Sequence, residues 1–223
     1  MAYDAYIFDL DGTLLNTLPD LVNITNMVLE EHGMAPRTSD EINSFVGNGA
    51  RVLLQRAAAE GTSETEIDEI LARWKELYPE FGHKYTRPYE GMPEVLAAMK
   101  AGGAKLGVLS NKFDAATQGV IALHFPGVFD DVRGEGPDTP RKPDPTGLNA
   151  MIGRLGVDPS CVAYVGDSGS DMTVAHAAGC AAIGVTWGYR SVDVLRAAGA
   201  DMLVDAPAQL YNEAHQSDRK EQR

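Results

Sequence analysis

Cysteine is scarce in this chain: Cys161 and Cys180 are the only two, with no CxxC pair and no nearby histidine cluster. That excludes a disulfide framework and a zinc site, and both read as buried thiols. Long hydrophobic runs are missing as well. The longest near-apolar stretch, 177–185, is about half of the roughly 20 residues a bilayer-crossing helix needs, so no membrane partner is expected. The amino terminus, Met1-Ala2-Tyr3-Asp4, has no basic segment followed by an apolar one, which leaves a cytoplasmic location as the expectation. Basic residues are outnumbered, 19 Lys and Arg against 32 Asp and Glu, for a net charge of −13. A protein that neutralises nucleic-acid phosphates needs a basic face, so nucleic acid is excluded as a partner. The same surplus should repel a small anion unless a cation or local donors intervene.

What is present is an ordinary globular composition, 44% apolar and 23% charged, too hydrophobic to remain disordered. At about 150 residues per domain, 223 residues suggest a core domain carrying an insertion, expected as a monomer or homodimer. No internal repeat or low-complexity tract interrupts the chain.

Hydrophobic period predicts a first strand over 6–10 that stops at the turn Asp11-Gly12-Thr13. Helical patterns follow over 18–32, 39–45, 49–59 and 64–78 or slightly beyond, with helix-start chemistry at Asp40-Glu41 and Thr62-Ser63-Glu64-Thr65-Glu66 and no convincing strand before residue 88. Beyond it the pattern alternates. Helices are predicted over 93–101, 113–123, 146–155, 171–178 and 192–198, and strands over 105–109, from 128–129, and over 161–165, 181–185 and 202–204. Alternation implies right-handed crossovers and an α/β fold, a Rossmann-like parallel sheet sandwiched by helices, with an inserted all-helical domain. The boundaries drawn are 1–15 with 88–214 for the core, 16–87 for the insertion and 215–223 for a frayed polar tail.

Ligands bind at the carboxyl ends of strands in an open parallel sheet. Standing there are Asp9-Leu10-Asp11-Gly12-Thr13, Ser110-Asn111 and Gly166-Asp167-Ser168-Gly169-Ser170-Asp171, with the polar loop Arg141-Lys142-Pro143-Asp144-Pro145 between the last two. Asp9 and Asp11 repel each other unless a metal or a shared proton resolves the conflict, and Asp167 adds a third acid. A hard divalent cation with oxygen ligands answers that conflict. Magnesium, which keeps waters and accepts a phosphate oxygen, suits so few carboxylates and turns an acidic cleft into one that accepts phosphate. A carboxylate can attack phosphorus and split hydrolysis into two displacements, with Ser110, its neighbouring amides and the Lys142 ammonium as donors to the equatorial oxygens.

These segments resemble the four motifs of the haloacid dehalogenase superfamily, in order: Phe8-Asp9-Leu10-Asp11-Gly12-Thr13-Leu14, Ser110-Asn111, Lys142-Pro143, and Gly166-Asp167-Ser168 with Asp171. The resemblance implies Asp9 as nucleophile and Asp11 as the acid and base. It implies magnesium on the Asp9 carboxylate, the Asp11 backbone carbonyl and Asp167, with Asp171 in the outer shell, and a phosphoryl group bound by Ser110, Asn111 and Lys142. The helical insertion resembles the small cap of the phosphoglycolate phosphatase-like branch, with hinges near 15–18 and 81–88. Within it, Val46-Gly47-Asn48-Gly49-Ala50-Arg51 resembles the branch's substrate loop: Gly47, Asn48 and Gly49 would offer backbone N–H groups and Arg51 would pair with a carboxylate. Asn16-Thr17 departs from the Asp-Ser pair common in relatives and bears on the hinge rather than the chemistry.

The expected activity is therefore magnesium-dependent hydrolysis of a small phosphorylated metabolite, 2-phosphoglycolate first. A sugar-phosphate mutase shares every core residue and stays open, as does a phosphate-binding pseudoenzyme. Three decoys are set aside. Ser168 sits in a trypsin-like Gly-Asp-Ser-Gly string but not in an all-β chain. Gly47-Asn48-Gly49 lacks a glycine at position 52, so it is not a dinucleotide fingerprint. Trp74 and Tyr78, four apart on a helix, read as a cap contact rather than a base-stacking platform.

Overall fold

The computed structural model describes residues 3–211, so the expected tail at 215–223 lies outside the described residues. The chain opens with β1 (Ala5–Phe8) and the two-residue β2 (Leu15–Asn16). Four helices follow: α1 (Leu18–Glu31), α2 (Ser39–Phe45), α3 (Gly49–Ala57) and α4 (Glu64–Phe81). After β3 (Arg87–Pro88), helices and strands alternate: α5 (Met92–Ala101), β4 (Lys105–Phe113), α6 (Asp114–His124), β5 (Asp131–Glu135), α7 (Thr146–Leu155), β6 (Val162–Gly166), α8 (Gly169–Ala177), β7 (Ala181–Val185), α9 (Val192–Ala197) and β8 (Met202–Val204).

Six strands form one parallel sheet in the order β5-β4-β1-β6-β7-β8. The chain winds outward from β1 in one direction and then from β6 in the other, so the order reverses beside β1. That is the switch point where α/β sheets open a crevice at their carboxyl ends. Side chains alternate across the sheet, as the two-residue period of a strand requires. Tyr6 and Phe8 of β1 join Ala163 and Val165 of β6 in a core completed by Met92, Leu96 and Met99 of α5 and Val120 of α6. Ala5, Ile7, Val162 and Tyr164 face the other way, toward Leu148 and Met151 of α7 and Met172 and Ala175 of α8.

The four helices after β2 gather around a second hydrophobic cluster that includes Ile24, Val28, Ile42, Leu54, Ile70 and Trp74 and is joined from the sheet side by Ala116 of α6, with Phe113 packed against it. Their starts follow sequence chemistry: Thr38 and Glu41 form a reciprocal capping box on α2, and Ser63 accepts from the Glu66 N–H on α4. β2 and β3 pair antiparallel, so a two-residue ribbon carries the chain into and out of this helical segment. Asp20, fully buried in the first turn of α1, accepts from the Tyr85 N–H at 3.0 and 2.9 Å, the Thr86 N–H at 2.6 Å and the Thr86 hydroxyl at 2.7 Å. Entry and exit are thereby clamped together.

Besides the short β2 and β3, which carry no sequence pattern, the strands β4 and β5 differ from the sequence expectation. β4 runs on through Ser110, Asn111 and Lys112, which are polar yet buried because they form the floor of a cleft. β5 is Asp131–Glu135 rather than a strand from 128, since an edge strand is only half covered and carries a weak apolar signal. α4 ends at Phe81, in keeping with the helix expected over 64–78 or slightly beyond, with Pro79 in its last turn. Both cysteines are free thiols; Cys180 is buried, with its pKa pushed up by burial to about 11, while Cys161 is half-buried. No helix of the described residues is long and apolar enough to cross a membrane.

Candidate active site at the carboxyl edge of the sheet

Asp9 follows directly on β1, and the left-handed Gly12 (φ +82°) turns the chain back so that Asp11 and Thr13 stay at the same edge. Asp167 follows β6, and Asp171 lies in the first turn of α8. Carboxylate oxygens of Asp9, Asp167 and Asp171 come within 4.8 Å of one another. Asp171 is fully buried and spent: one oxygen accepts from Lys142 Nζ at 2.7 Å, the other from the Ser168 N–H at 2.9 Å and hydroxyl at 2.6 Å. Asp9 Oδ1 lies 2.9 Å from Lys142 Nζ but off the angle of a hydrogen bond, so it is a buried oxygen without a hydrogen-bond donor. Asp167 accepts from the Tyr189 N–H at 2.6 Å and is walled by backbone, since a Cβ at Gly12 or Gly188 would strike its side chain.

The electrostatics are those of acids crowded out of water. Burial, with the repulsion of Asp171 and against the pull of Lys142, pushes the Asp9 carboxyl up to about 6. Burial, then Asp171 and Asp9, pushes Asp167 up to about 8. Lys142 loses by burial, but Asp171 and Asp9 outweigh that and hold its ammonium well above the ordinary value. An orphaned oxygen on Asp9, a neighbouring carboxylate cradled by glycines and an unresolved surplus of negative charge fit a hard divalent cation. Asp9 and Asp167 would hold it, with Asp171 behind them.

A cavity of about 50 Å³ opens over these groups, lined by Asp9, Asp11, Ser110, Asn111 and Asp167 from the sheet edge. The helical segment contributes Gly47, Gly49, Leu53 and Trp74. The remaining expected residues sit elsewhere or are otherwise engaged. Arg51 is a correction: its guanidinium turns to α4, 2.5 Å from Glu64 and 2.6 Å from Asp68, and it is not among the lining residues. An exposed acidic pair on the next helix captures it. Asn48 is exposed, and its carbonyl accepts from Arg141 at 2.7 Å. Asn111 lines the cavity, but its amide donates to the Gly47 and Lys142 carbonyls and accepts from the Lys142 N–H. Both amide hydrogens are used, so this side chain fastens two loops rather than offering donors to a ligand. Lys142 is similarly committed to Asp9, Asp171 and the Tyr164 hydroxyl.

Three residues escaped the sequence reading. Lys112, on the buried extension of β4, places Nζ 3.0 and 3.1 Å from the two Asp11 oxygens. Tyr189 reaches from the loop after β7, its N–H on Asp167 and its hydroxyl accepting from the N–H groups of Thr17 and Leu18 at the start of α1. Arg190 donates to the Asn43 and Val46 carbonyls at the end of α2 and lines the cavity. Their signal was position: Lys112 adjoins Ser110-Asn111, and residues 186–191 follow a strand whose carboxyl end faces the cleft.

The family model described as haloacid dehalogenase-like hydrolase matches residues 6–185. A phosphoglycolate phosphatase of Haemophilus influenzae is 35% identical over 214 residues, covering 92% of this chain and 95% of that protein. An N-acetylmuramic acid 6-phosphate phosphatase of Pseudomonas aeruginosa is 33% identical over 215 residues, covering 95% of each. Among solved structures, a predicted phosphoglycolate phosphatase from Haemophilus somnus superposes with a TM-score of 0.87 at 31% identity, over 93% of this chain and 96% of that one.

Proposed function

The chain belongs to the haloacid dehalogenase-like hydrolases and is a phosphatase; on that footing we propose that it hydrolyses small phosphomonoesters, 2-phosphoglycolate foremost, through an aspartyl-phosphate on Asp9. The observation that carries this is the crowding of Asp9, Asp167 and Asp171, whose carboxylate oxygens lie within 4.8 Å of one another, with Asp9 and Asp167 lining the cavity. An Asp9 oxygen bonds to phosphorus as the ester P–O bond breaks, and the leaving alkoxide takes a proton from Asp11. Asp11 then takes a proton from a water, whose oxygen bonds to phosphorus while the bond to Asp9 breaks, releasing inorganic phosphate. Magnesium held by Asp9 and Asp167 supplies positive charge against the phosphoryl oxygens. Ser110, whose hydroxyl accepts from the Lys112 N–H at 3.3 Å, orients the transferring group, and Lys142 keeps Asp9 and Asp171 compatible in one buried cluster.

We read residues 16–87 as the cap over this site and residues 1–15 with 88–214 as the core. The relatives named phosphoglycolate phosphatase, 35% identical over 92% of this chain in the Haemophilus influenzae protein, support a short two-carbon leaving group. The test is kcat/KM with magnesium for 2-phosphoglycolate, N-acetylmuramic acid 6-phosphate and β-glucose 1-phosphate, read as free phosphate. Phosphoglycolate should lead by about tenfold or more, a difference of about 1.4 kcal/mol in the barrier. A lead by the amino-sugar substrate overturns the substrate assignment. Isomerisation of glucose 1-phosphate without phosphate release would make the chain a mutase, and no magnesium-dependent turnover would make it a pseudoenzyme.

A further inference from the structure

Lys112 is a charged side chain at the site that the hydrolytic scheme leaves without a task, and unlike Arg190, which is spent on backbone carbonyls, it contacts a reacting carboxylate. It is buried in the extension of β4, and burial alone would pull its ammonium toward the neutral form; the Asp11 carboxylate outweighs that. Its Nζ spans both Asp11 oxygens at 3.0 and 3.1 Å, and the Thr17 hydroxyl donates to Oδ1 at 2.6 Å. Thr17 is itself held, hydroxyl to hydroxyl, by Tyr189 at 3.1 Å. The ammonium also lies over the ring of Tyr78 on α4, 5.1 Å from its centre. The Asp11 carboxylate is thus gripped by two donor groups making three contacts, the Lys112 ammonium from the sheet and the Thr17 hydroxyl from the entry to the helical segment, with Tyr78 of α4 against the ammonium.

We propose that Lys112 is a positioning residue for phosphoryl transfer, fixing the orientation of the Asp11 carboxylate, with Tyr78 of α4 covering the ammonium so that this grip belongs to the closed arrangement. The proposal rests on Asp11 being the acid and base. A carboxylate on a turn is otherwise free to rotate about two bonds, and proton transfer needs its oxygen within hydrogen-bond reach of the reacting atom. Lys112 also lines the cavity, so a direct contact with substrate is the competing role that the experiment has to separate.

The experiment is a double-mutant cycle on the full chain with magnesium and 2-phosphoglycolate, or the best substrate of the panel: wild type, Lys112→Met, Asp11→Asn and the double variant. Lys112→Met should lower kcat by about 10- to 100-fold with KM within about threefold, a part of the 10²–10⁴ that general acid–base catalysis contributes. In the Asp11→Asn background the same change should cost less than about twofold, the non-additivity expected of residues acting as one unit. Lys112→Arg should recover part of kcat. Equal losses in both backgrounds, a loss confined to KM, or no loss overturns the proposal. Full turnover by Asp11→Asn alone would instead refute the acid–base assignment beneath it. Should Lys112→Met not fold, Lys112→Gln, which keeps a polar atom in the buried extension but is uncharged and too short to span both Asp11 oxygens, carries the same cycle.

Discussion

The carboxyls of Asp9 and Asp167 are pushed, chiefly by burial, from an ordinary 3.8 to about 6 and about 8. In the metal-free protein the folded chain therefore holds protons that the unfolded chain has released, and folded stability falls as pH rises from about 4 through 8. Asp167→Asn removes one of these acids and keeps an acceptor for the Tyr189 N–H. In a chelator at pH 8 it should melt about 3 °C or more above wild type, with the gap closing toward pH 4, while magnesium-dependent turnover is lost. A variant melting below wild type at both pH values would show that the trio is not strained. Arg51 makes the opposite point. Its place after Gly47-Asn48-Gly49 suggested a substrate contact, but Glu64 and Asp68 hold it outward. Arg51→Ala should leave kcat/KM within about twofold, since an exposed ion pair contributes little, and a tenfold rise in KM would restore it to the site. Asp9, Asp11, Asp167 and Asp171 were legible as a cluster because strand ends and turn residues announce themselves locally. Lys112, Tyr189 and Arg190 were not, because their partners lie 101, 172 and 144 residues away.

At the scale of elements, the ribbon of β2 and β3 and the carboxylate of Asp20 join the helical segment to the sheet. Asp20→Ala strips acceptors from two backbone N–H groups and the Thr86 hydroxyl, and should destabilise the fold by about 2–4 kcal/mol in urea unfolding. A change below about 0.5 kcal/mol would mean that the clamp is dispensable. Helices with caps and apolar stripes, such as α2 and α7, were readable nearly to the residue, and so were β7, buried inside the sheet, and β8, an edge strand whose three residues are all apolar. The outer strand β5 was displaced because Asp131-Val132-Arg133-Gly134-Glu135 carries one apolar side chain among charged ones, and the length of β4 was hidden because its last residues form the floor of a cleft rather than a core. Two-residue strands such as β2 and β3 carry no period at all; only the tertiary pairing reveals them.

For the whole molecule, the charge of −13 is answered locally. The lining of the cavity includes Lys112 and Arg190 alongside the acids, and the cation that the trio fits would complete the reversal of sign. Magnesium should therefore stabilise the folded chain by mass action, about 2.7 kcal/mol at a hundred times its Kd. The wild-type Tm should rise with magnesium at pH 8 while that of Asp167→Asn stays flat; equal shifts in both would assign the cation to the general surface. Acid-quenching the enzyme during turnover and measuring the intact mass and the peptide containing Asp9 shows whether Asp9 carries the phosphoryl group. A single phosphoryl adduct on that peptide is expected in the wild type, and neither adduct nor phosphate release in Asp9→Asn. Turnover by Asp9→Asn at the wild-type rate with no adduct on either protein would contradict that assignment.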